Sequence, residues 1–413
     1  MQNNSENQLL LPNVLDVYLE ADGALSNQEV YKAVADRLGM SEAERSRREP
    51  VGEAGKSHNI FHNRVRWAQQ SLRREELLTR VNDGEWEVHR HKKLKLRAAK
   101  ATRHVVAVST SVGMCIWTKS PNIFEDVIQD DVHLVLTSPP YPIQKPRAYG
   151  GIHESEYTDF ICRAIEPIMT RMVPGASIVL NLSNDVFEQG SPARSIYLER
   201  LVVALHDNLG LKLMDRKPWE SNKPPGPVHW CSKKRIHLNV GWEPVLWFCN
   251  EPLKTFACVD RVLQEHSERH KKFVAKGGVK TESVHGDGAY RKKVGAYSRE
   301  TKGRIPTNVL HYGNTCKSGQ EVTAFAKELG IPEHGAKMPL SLAQFLVEFL
   351  TEPGQTVVDP FAGTLTTAQA AQITGRKWFC LEQMMEYIRQ GFRRFRDLPD
   401  AWINPDIVRA TST

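Results

Sequence analysis

Over the last three quarters of the chain, strand-like apolar runs alternate with helix-like stretches, and this alternation limits the fold more than any other feature. The runs are HLVLTS, ASIVLNLS, PVLWFC, TVVDPF and KWFCLE. Strands separated by helices usually pair in parallel, because a crossover helix returns the chain to the same end of the sheet. The sequence therefore predicts an α/β fold with a doubly wound, largely parallel sheet over residues 104–413.

Residues 1–90 predict a small separate domain of three helices and a hairpin. Helical spacing runs through residues 9–19, and the next helix is SNQEVYKAVADRLG, with Ser26 and Glu29 in capping-box positions. A charged loop is expected over residues 41–57. The third helix is NIFHNRVRWAQQSLRREELL, and the hairpin LLTRVNDGEWEVH has a tight Asp-Gly turn.

This order of elements is that of a winged helix, a helix-turn-helix variant that places one helix in a DNA groove. The stretch from NRVRWAQQSL to GEWEV also resembles the winged-helix domains at the amino terminus of some restriction-system proteins. Arg64 and Arg66, on the third predicted helix, are the candidate DNA contacts. The alternative is a helical docking domain whose arginines face water.

Two further segments are rich in cations. Residues 91–103 predict a solvated basic linker. Residues from about 250 to 320 show little periodicity, and twelve Lys/Arg against five Asp/Glu give residues 261–304 a net charge of +7. Because a long irregular segment in a compact domain is usually functional, we expect a target-recognition insert whose loops read base edges. Its candidate phosphate contacts are Lys271, Lys272, Lys292 and Lys293.

The segment TVVDPFAGTLTTAQAAQITGRKWFCLE predicts a strand, a glycine-containing turn, a helix and a second strand. Such a turn lets a nucleotide-like ligand approach the backbone, and an acid at the end of the second strand can bind ribose hydroxyls. Glu382 has that position, 23 residues after Asp359. The turn is neither GxGxxG nor a P-loop, so a cofactor without a pyrophosphate fits it better.

Another predicted strand ends at TSPPY, residues 137–141. The exocyclic amino group of a nucleobase is a poor nucleophile, because its lone pair is delocalised into the ring. Two acceptors on the amino hydrogens can restore the lone pair, and the Ser138 hydroxyl and Pro139 carbonyl can supply them. Pro139 and Pro140 end the strand because neither donates to a sheet ladder, and Tyr141 offers a face for an extruded base.

TSPPY, HGAKMPLSLAQFLVEFLT and DPFAGT, in this order, resemble the amino-type DNA methyltransferases that use S-adenosylmethionine. The resemblance covers residues from about 104 to 395 and implies a Rossmann-like sheet with the permuted motif order called beta. A serine before the two prolines is typical of the enzymes that modify cytosine N4, whereas aspartate is usual for adenine N6.

The resemblance also implies site residues. The catalytic residues are Ser138, Pro139, Pro140 and Tyr141. Two candidate DNA contacts, Arg147 and Tyr149, match the family's substrate loop. The implied cofactor contacts are Asp359, Pro360, Phe361, Gly363, Thr364, Glu382, Lys337 and Met338.

The chain departs from the family's pattern at two places. Leu365 stands where a second glycine is usual, so its Cβ is expected to crowd the ligand or to require an unusual φ. The family often has Gly-Asp upstream of the catalytic motif, where this chain has CIWTKSP at residues 115–121. The absence of a Pro-Cys dipeptide disfavours cytosine-C5 chemistry, and His334 is equally well explained as a structural cap.

We therefore expect a cytosine-N4 methyltransferase that acts on a specific sequence in duplex DNA. Three alternatives stay open: an adenine-N6 enzyme, a sequence-specific DNA-binding protein built on a decayed methyltransferase, and an RNA or free-nucleoside methyltransferase. The winged helix and the basic insert disfavour the third. A homodimer and a cognate restriction endonuclease also stay open as partners.

Composition sets the remaining expectations. The net charge of +7 mildly favours a polyanionic partner. Seven scattered cysteines without a CxxC pair argue against a disulfide framework and a zinc site, so no metal is expected. No signal peptide and no membrane-spanning run are evident, which predicts a cytoplasmic protein without membrane contact.

Overall fold

The structure, a computed structural model, describes residues 13–409 with gaps at 19, 22, 52–55, 75–77, 89–95, 101–103, 120–122, 127, 143–151, 223–226, 228 and 287–289. The chain divides into two compact units, Met1–Lys95 and Leu96–Thr413. None of the helices within the described ranges is long and apolar enough to cross a membrane.

Within its described residues, the first unit contains four helices and five short strands. In chain order they are α1 (13–18), β1 (Leu25–Ser26), α2 (Asn27–Arg37), α3 (Glu42–Ser46), β2 (Arg48–Val51), β3 (Lys56–Asn59), α4 (Ile60–Arg74), β4 (Leu78–Asn82) and β5 (Glu85–Val88). β5 lies between β1 and β4 in an antiparallel sheet, and β2 pairs with β3.

Local sequence signals account for much of this unit. Ser26 and Glu29 form the expected capping box at the start of α2, and Gly39 follows its end with a φ of 63°. Gly84 has a φ of 79° in the turn between β4 and β5, which favours glycine. The expectation of a loop over residues 41–57 is wrong, because α3 and the β2–β3 hairpin form there.

The second unit is built on one large sheet with helices on both faces. Its strands are β6 (Val105–Thr110), β7 (Gly113–Trp117), β8 (Val132–Thr137), β9 (Met172–Asn181), β10 (Lys212–Glu220), β11 (Trp242–Cys249), β12 (Ser283–His285), β13 (Tyr290–Lys292), β14 (Leu310–His311), β15 (Thr356–Asp359), β16 (Lys377–Glu382) and β17 (Trp402–Ile403).

Its helices complete the element order. They are α5 (Ile123–Asp126), α6 (Glu154–Met169), α7 (Tyr197–Asp207), α8 (Glu268–Ala275), α9 (Lys317–Glu328), α10 (Leu340–Leu350), α11 (Thr366–Ile373), α12 (Met385–Gly391) and α13 (Pro405–Arg409). A π-helical turn spans His229–Lys233, and 3-10 turns span Pro252–Lys254, Val259–Arg261 and Phe392–Arg394.

The sheet order is β14-β10-β11-β9-β8-β15-β16-β7-β6-β17. The five central strands from β9 to β7 are mutually parallel, as the alternation predicts. β11 and β10 on one side, and β6 and β17 on the other, add antiparallel pairs that the alternation does not predict. One core layer buries α10 and α11 against the sheet, and the other buries α6 and α7.

The two strands that precede the catalytic and cofactor motifs are neighbours in the sheet, although the motifs are far apart in the chain. β8 and β15 are adjacent and parallel, with Val357 opposite Leu134, although more than 200 residues separate them in the chain. Their carboxyl ends therefore meet at one edge of the sheet, where ligands bind in open α/β folds. We call this edge the carboxyl edge.

Part of the expected linker does not behave as a linker. The Ala99 amide donates to the Gln383 carbonyl at 2.8 Å, and Arg97 donates to the Glu386 carboxylate through its backbone N and its Nε. These contacts attach the segment to α12 and the residues before it. The prediction of a solvated linker is therefore wrong for residues 97–99.

The expected insert is more ordered than its sequence suggests. It contains α8 and the β12–β13 hairpin, and β14 near its end joins the central sheet beside β10. Its beginning lies away from the carboxyl edge, because the Phe256 ring packs 5.2 Å from the His133 ring near the start of β8. The prediction of loops throughout about 250–320 is wrong in this respect.

Candidate active site

A cleft of about 810 Å³ opens at the carboxyl edge between β8 and β15. All four residues of the Ser-Pro-Pro-Tyr motif line it, together with part of the turn after β15. The lining residues are Thr118, Lys119, Ser138, Pro139, Pro140, Tyr141, Phe160, His334, Ala336, Pro360, Phe361, Gly363, Glu382, Gln383 and Tyr387. Tertiary structure thus brings together the two motifs that the sequence singles out.

The catalytic motif begins where β8 ends at Thr137. Ser138 Oγ lies 3.1 Å from Tyr141 Oη, within hydrogen-bonding distance. A hydroxyl has one hydrogen and two lone pairs, so Ser138 can donate to Tyr141 and still accept from a ligand. The geometry therefore leaves Ser138 able to act as an acceptor in the cleft.

Asp359, at the end of β15, forms hydrogen bonds with both motifs. Its carboxylate accepts from the Thr137 hydroxyl at 2.6 Å, the Thr367 hydroxyl at 2.7 Å and the Phe361 amide at 3.0 Å. Burial raises the pKa of Asp359 to about 6, and these hydrogen bonds oppose the rise. Asp359 is not among the residues that line the cleft, and its hydrogen bonds connect Thr137, directly before Ser138, to the turn after β15.

Glu382, at the end of β16, does line the cleft. One carboxylate oxygen accepts from the Gly363 amide and the other from the Met384 amide, both at 2.7 Å. Burial raises the pKa of Glu382 to about 7, against the effect of these amides. A carboxylate has about four acceptor sites, so Glu382 retains capacity for ligand hydroxyls.

Aromatic and imidazole rings surround the turn after β15. The Phe361 ring lies 5.4 Å from the Phe160 ring, and the His334 ring lies 4.4 Å from the Tyr387 ring. An added Cβ at Gly363 would lie 3.2 Å from His334 Nε2, so a side chain there would press on the imidazole. His334 is therefore part of the cleft wall, which the sequence alone did not decide.

Several cleft residues were missed by sequence reasoning. Thr118 and Lys119 follow β7 in the segment where the family's Gly-Asp is lacking, and Gln383 and Tyr387 follow Glu382. The rule that ligands bind at the carboxyl ends of parallel strands would have pointed to the residues directly after β7 and β16. Phe160, on α6, has no such signal.

Besides Asp359, three implied cofactor contacts do not line the cleft. Lys337 and Met338 line a neighbouring cavity, and Lys337 Nζ donates to the His334 carbonyl at 2.7 Å. Burial lowers the pKa of Lys337. Thr364 is buried, and its carbonyl accepts from Arg394 Nε at 2.6 Å. These residues support the cleft wall rather than line it.

Leu365 adopts the left-handed conformation, with φ 64° and ψ 35°, that its glycine-like position requires. Its side chain is fully buried in the core and does not line the cleft. Space for it exists because residue 391 is glycine, where an added Cβ would lie 2.7 Å from Leu365 Cγ. The unusual φ is therefore present, whereas the expected crowding of the ligand is not.

The candidate DNA contacts fall into different groups. Arg147 and Tyr149 lie outside the described residues. Arg64 and Arg66 are on α4, and Arg66 donates to Asn63 and to the His62 carbonyl. Lys271, on α8, pairs with Glu265 at 2.7 Å and Glu268 at 2.9 Å.

The other three predicted lysines of the insert form no ion pair with a described residue. Lys272, on α8, is exposed and has no ion pair with any described residue. Lys293 is also exposed, whereas Lys292, on β13, is partly buried, with its Nζ 5.8 Å from the Tyr290 ring centre; neither has an ion pair with a described residue. Three of the four predicted lysines are thus available to an anion.

Comparisons with known proteins agree with this geometry. A family model described as DNA methylase matches residues 132–393, and one described as Mrr N-terminal domain matches residues 8–92. The Type II methyltransferase M.PvuII of Proteus hauseri is 31% identical over 293 residues, covering 70% of this chain and 86% of that protein. M.BglII of Bacillus subtilis is 27% identical over 285 residues, covering 68% of each.

A solved structure also matches. The PvuII DNA methyltransferase (cytosine-N4-specific) is 28% identical, with a TM-score of 0.55, over 70% of this chain and 89% of that one. The Mrr N-terminal domain match coincides with the first unit. Because the methylase model covers most of the chain and its motifs converge in one cleft, the chain belongs to the N6/N4 DNA methylase family.

Proposed function

We propose that the protein transfers a methyl group from S-adenosyl-L-methionine to N4 of cytosine within a specific sequence of duplex DNA. The observation that carries the proposal is the position of the Ser138 hydroxyl, which opens into the same cleft as Glu382 and the Gly363 turn. The likeness to a cytosine-N4-specific enzyme supports the choice of base.

The residues of the cleft fit S-adenosyl-L-methionine. The Glu382 carboxylate would accept from ribose hydroxyls, and the Phe361 and Phe160 rings would face the adenine. Pro360 and Gly363 would bring the backbone of the turn close to the ligand. When bound, the cofactor supplies an electrophilic methyl group on a sulfonium.

Ser138 and Pro139 would act on the amino group of the target base. The Ser138 lone pairs and the Pro139 carbonyl would accept its two hydrogens, which localises the nitrogen lone pair for attack. Ser138 would donate its own hydrogen to Tyr141 Oη, consistent with their 3.1 Å separation. Pro140 keeps this turn out of the sheet, and the Tyr141 ring would stack on the extruded base.

The proposal extends to partners and location. The first unit would bind DNA through α4 as a winged helix, with Arg64 and Arg66 near phosphates. A cognate restriction endonuclease is proposed because similar proteins are Type II methyltransferases. A homodimer is also proposed, and a cytoplasmic location follows from the DNA substrate.

The test is to express the protein in cells that lack DNA methylation of their own and to analyse their DNA. We expect N4-methylcytosine after digestion to nucleosides, and single-molecule sequencing should place it in one recurring sequence. Ser138→Ala, expressed equally, is the matched control and should leave the DNA unmodified. N6-methyladenine instead would assign the adenine specificity.

A protein without activity needs a second measurement. Calorimetry with S-adenosyl-L-methionine separates an enzyme that lacks its proper DNA sequence from a decayed one. Saturable binding is expected, and its absence would favour a DNA-binding protein that has lost catalysis.

A further inference from the structure

The connection between β10 and β11 forms a surface that the proposed catalytic site does not use. β10 ends at Glu220 and β11 begins at Trp242, and these two residues are partners in an antiparallel register. β11 in turn pairs antiparallel with β9, so its start lies beside the carboxyl end of β9. The described residues of this connection, 221–222, 227 and 229–241, therefore lie at the carboxyl edge, the same edge as Ser138.

The part of this connection that we call the basic loop, residues 229–238, has the sequence HWCSKKRIHL and contains no acidic residue. The side chains of Lys233, Lys234 and Arg235 are exposed and have no ion pair with any residue that the structure describes. Three adjacent free cations attract a polyanion such as a phosphate backbone.

Contacts with the segment after β9 hold the basic loop in place. The rings of Trp230 and His237 both lie against Phe187, with centroid distances of 6.3 Å and 5.3 Å. Cys231 Sγ donates to the Leu238 carbonyl at 3.1 Å. The backbone of the loop is thus fixed at both ends.

Leu238 is 89% exposed in spite of this anchoring. A large apolar side chain displayed on a fixed backbone, beside free cations and near a base-flipping site, suits insertion between stacked bases. Proteins that distort DNA insert apolar side chains between base steps in this way, and extruding a base costs a few kcal/mol of stacking and pairing.

We propose that the basic loop binds duplex DNA next to the target base. Lys233, Lys234 and Arg235 contact phosphates, and Leu238 enters the base stack where the target base has left it. This inference rests on the proposed function, because it requires that a base be extruded into the cleft.

The insertion is tested with Leu238→Ala and a matched control. Leu253 is also a fully exposed leucine, but it follows the end of β11 at the opposite edge of the sheet. Single-turnover methylation is measured on a duplex with the target site and on the same duplex with the target base mismatched. Leu238→Ala should slow the paired duplex about tenfold and the mismatched duplex much less, because a mismatched base is cheaper to extrude. Leu253→Ala should match the wild type on both.

Two outcomes would overturn the insertion. Equal methylation rates for Leu238→Ala and Leu253→Ala on the paired duplex would show that Leu238 does not assist extrusion of the base. Equal slowing of the paired and mismatched duplexes would assign Leu238 a structural role instead.

The phosphate contacts are tested through salt dependence. Replacing Lys233, Lys234 and Arg235 together by alanine should lower the slope of log affinity against log salt by about 2 to 3. Lys212→Ala, at the opposite end of β10, should leave the slope unchanged. An unchanged slope for the triple variant would refute the phosphate contacts of the basic loop and leave the proposed function intact. A wild-type protein that methylates no DNA would refute the proposed function itself.

Discussion

The turn after β15, residues 360–365, and the basic segment, residues 261–304, differ in where their charged groups lie. Asp359 and Glu382 are buried beside the turn, and among the described residues they accept hydrogen bonds from hydroxyls and backbone amides. The ion pairs of the basic segment are exposed instead, as with Arg291 and Glu282 at 2.5 Å. Buried charge costs desolvation and is retained only where hydrogen bonds hold it, whereas exposed pairs contribute little stability.

This difference shows that the net charge of a segment does not reveal which of its cations are already paired with carboxylates. The net +7 of the basic segment overstates its capacity for phosphate, because Lys271 is already shared between Glu265 and Glu268. The basic loop has fewer cations, yet none has an acidic partner among the described residues. The turn after β15, residues 360–365, contains no lysine or arginine, and the neighbouring carboxylates of Asp359 and Glu382 accept hydrogen bonds from its backbone amides.

The largest effect is expected at the catalytic hydroxyl. Ser138→Ala should lower methyl transfer by about 10²- to 10³-fold, the cost of removing one preorganised group that acts on the reacting centre. Calorimetry should show cofactor affinity unchanged, because the proposed mechanism assigns Ser138 a contact with the base and none with the cofactor. Tyr141→Phe is the control: it keeps the stacking ring, removes the hydroxyl 3.1 Å from Ser138, and should cost less. Retained turnover in Ser138→Ala would remove it from the mechanism.

The next effect concerns Leu365. Leu365→Gly relieves the left-handed φ of a non-glycine residue but empties a fully buried site. Loss of a buried leucine outweighs the backbone strain, so we expect a net destabilisation of about 2 to 4 kcal/mol in denaturant unfolding. Cofactor affinity should be unchanged because Leu365 does not line the cleft. A more stable variant would mean that strain dominates.

Gly391→Ala probes the same contact from the other side. Its Cβ would lie 2.7 Å from Leu365 Cγ and 3.1 Å from the Thr364 carbonyl, so overpacking should cost about 2 kcal/mol. Gly330, with a positive φ but no neighbour within 4 Å, is a control that separates crowding from backbone strain. If Gly330→Ala destabilises the protein more than Gly391→Ala, crowding against Leu365 costs less than the backbone strain of a positive φ.

A pH dependence follows from Glu382. Its native pKa of about 7 is above the ordinary value of 4.5, so the folded protein holds a proton that the unfolded chain releases between these values. The free energy of unfolding without cofactor should therefore fall as pH rises from about 4.5 to 7. Asp359, with a native pKa of about 6, adds the same trend between about pH 4 and 6. Glu382→Gln should flatten the upper part of this decline.

Cofactor binding should show the reverse dependence. Ribose hydroxyls donate to the ionised carboxylate, so affinity should rise about tenfold between pH 6 and pH 8 for a group with a pKa near 7. Glu382→Gln is measured with the same cofactor, whose own amino group titrates equally in both proteins. An identical pH profile for the two proteins would exclude Glu382 from cofactor binding.

The smallest effects distinguish lysines of the basic segment. Lys272→Ala should reduce the salt slope of DNA binding by about 1, roughly uniformly across DNA sequences. Lys271→Ala should reduce it less, because Glu265 and Glu268 already neutralise this ammonium. Equal changes would mean that DNA displaces both carboxylates from Lys271.

The sequence by itself determined the parallel sheet, the two motifs at strand ends and the acid that follows the second strand. Each of these depends on local patterns: apolar runs of strand length, prolines that end a ladder, and a turn that opens a helix. The capping box at Ser26 and the Asp-Gly hairpin turn are local in the same sense. A predicted element of this kind needs no knowledge of distant residues.

Only the tertiary structure decided which residues reach the cleft. Thr137 and Asp359 are 222 residues apart, and their hydrogen bond connects the end of β15 to the end of β8. His334 enters the cleft wall, and Leu365 keeps its unusual φ because residue 391 leaves space. Only the folded structure shows that no described acidic side chain lies close enough to pair with the cations of the basic loop. Packing and electrostatics act through space, so a pattern along the chain predicts where a strand ends but not what its last side chain meets.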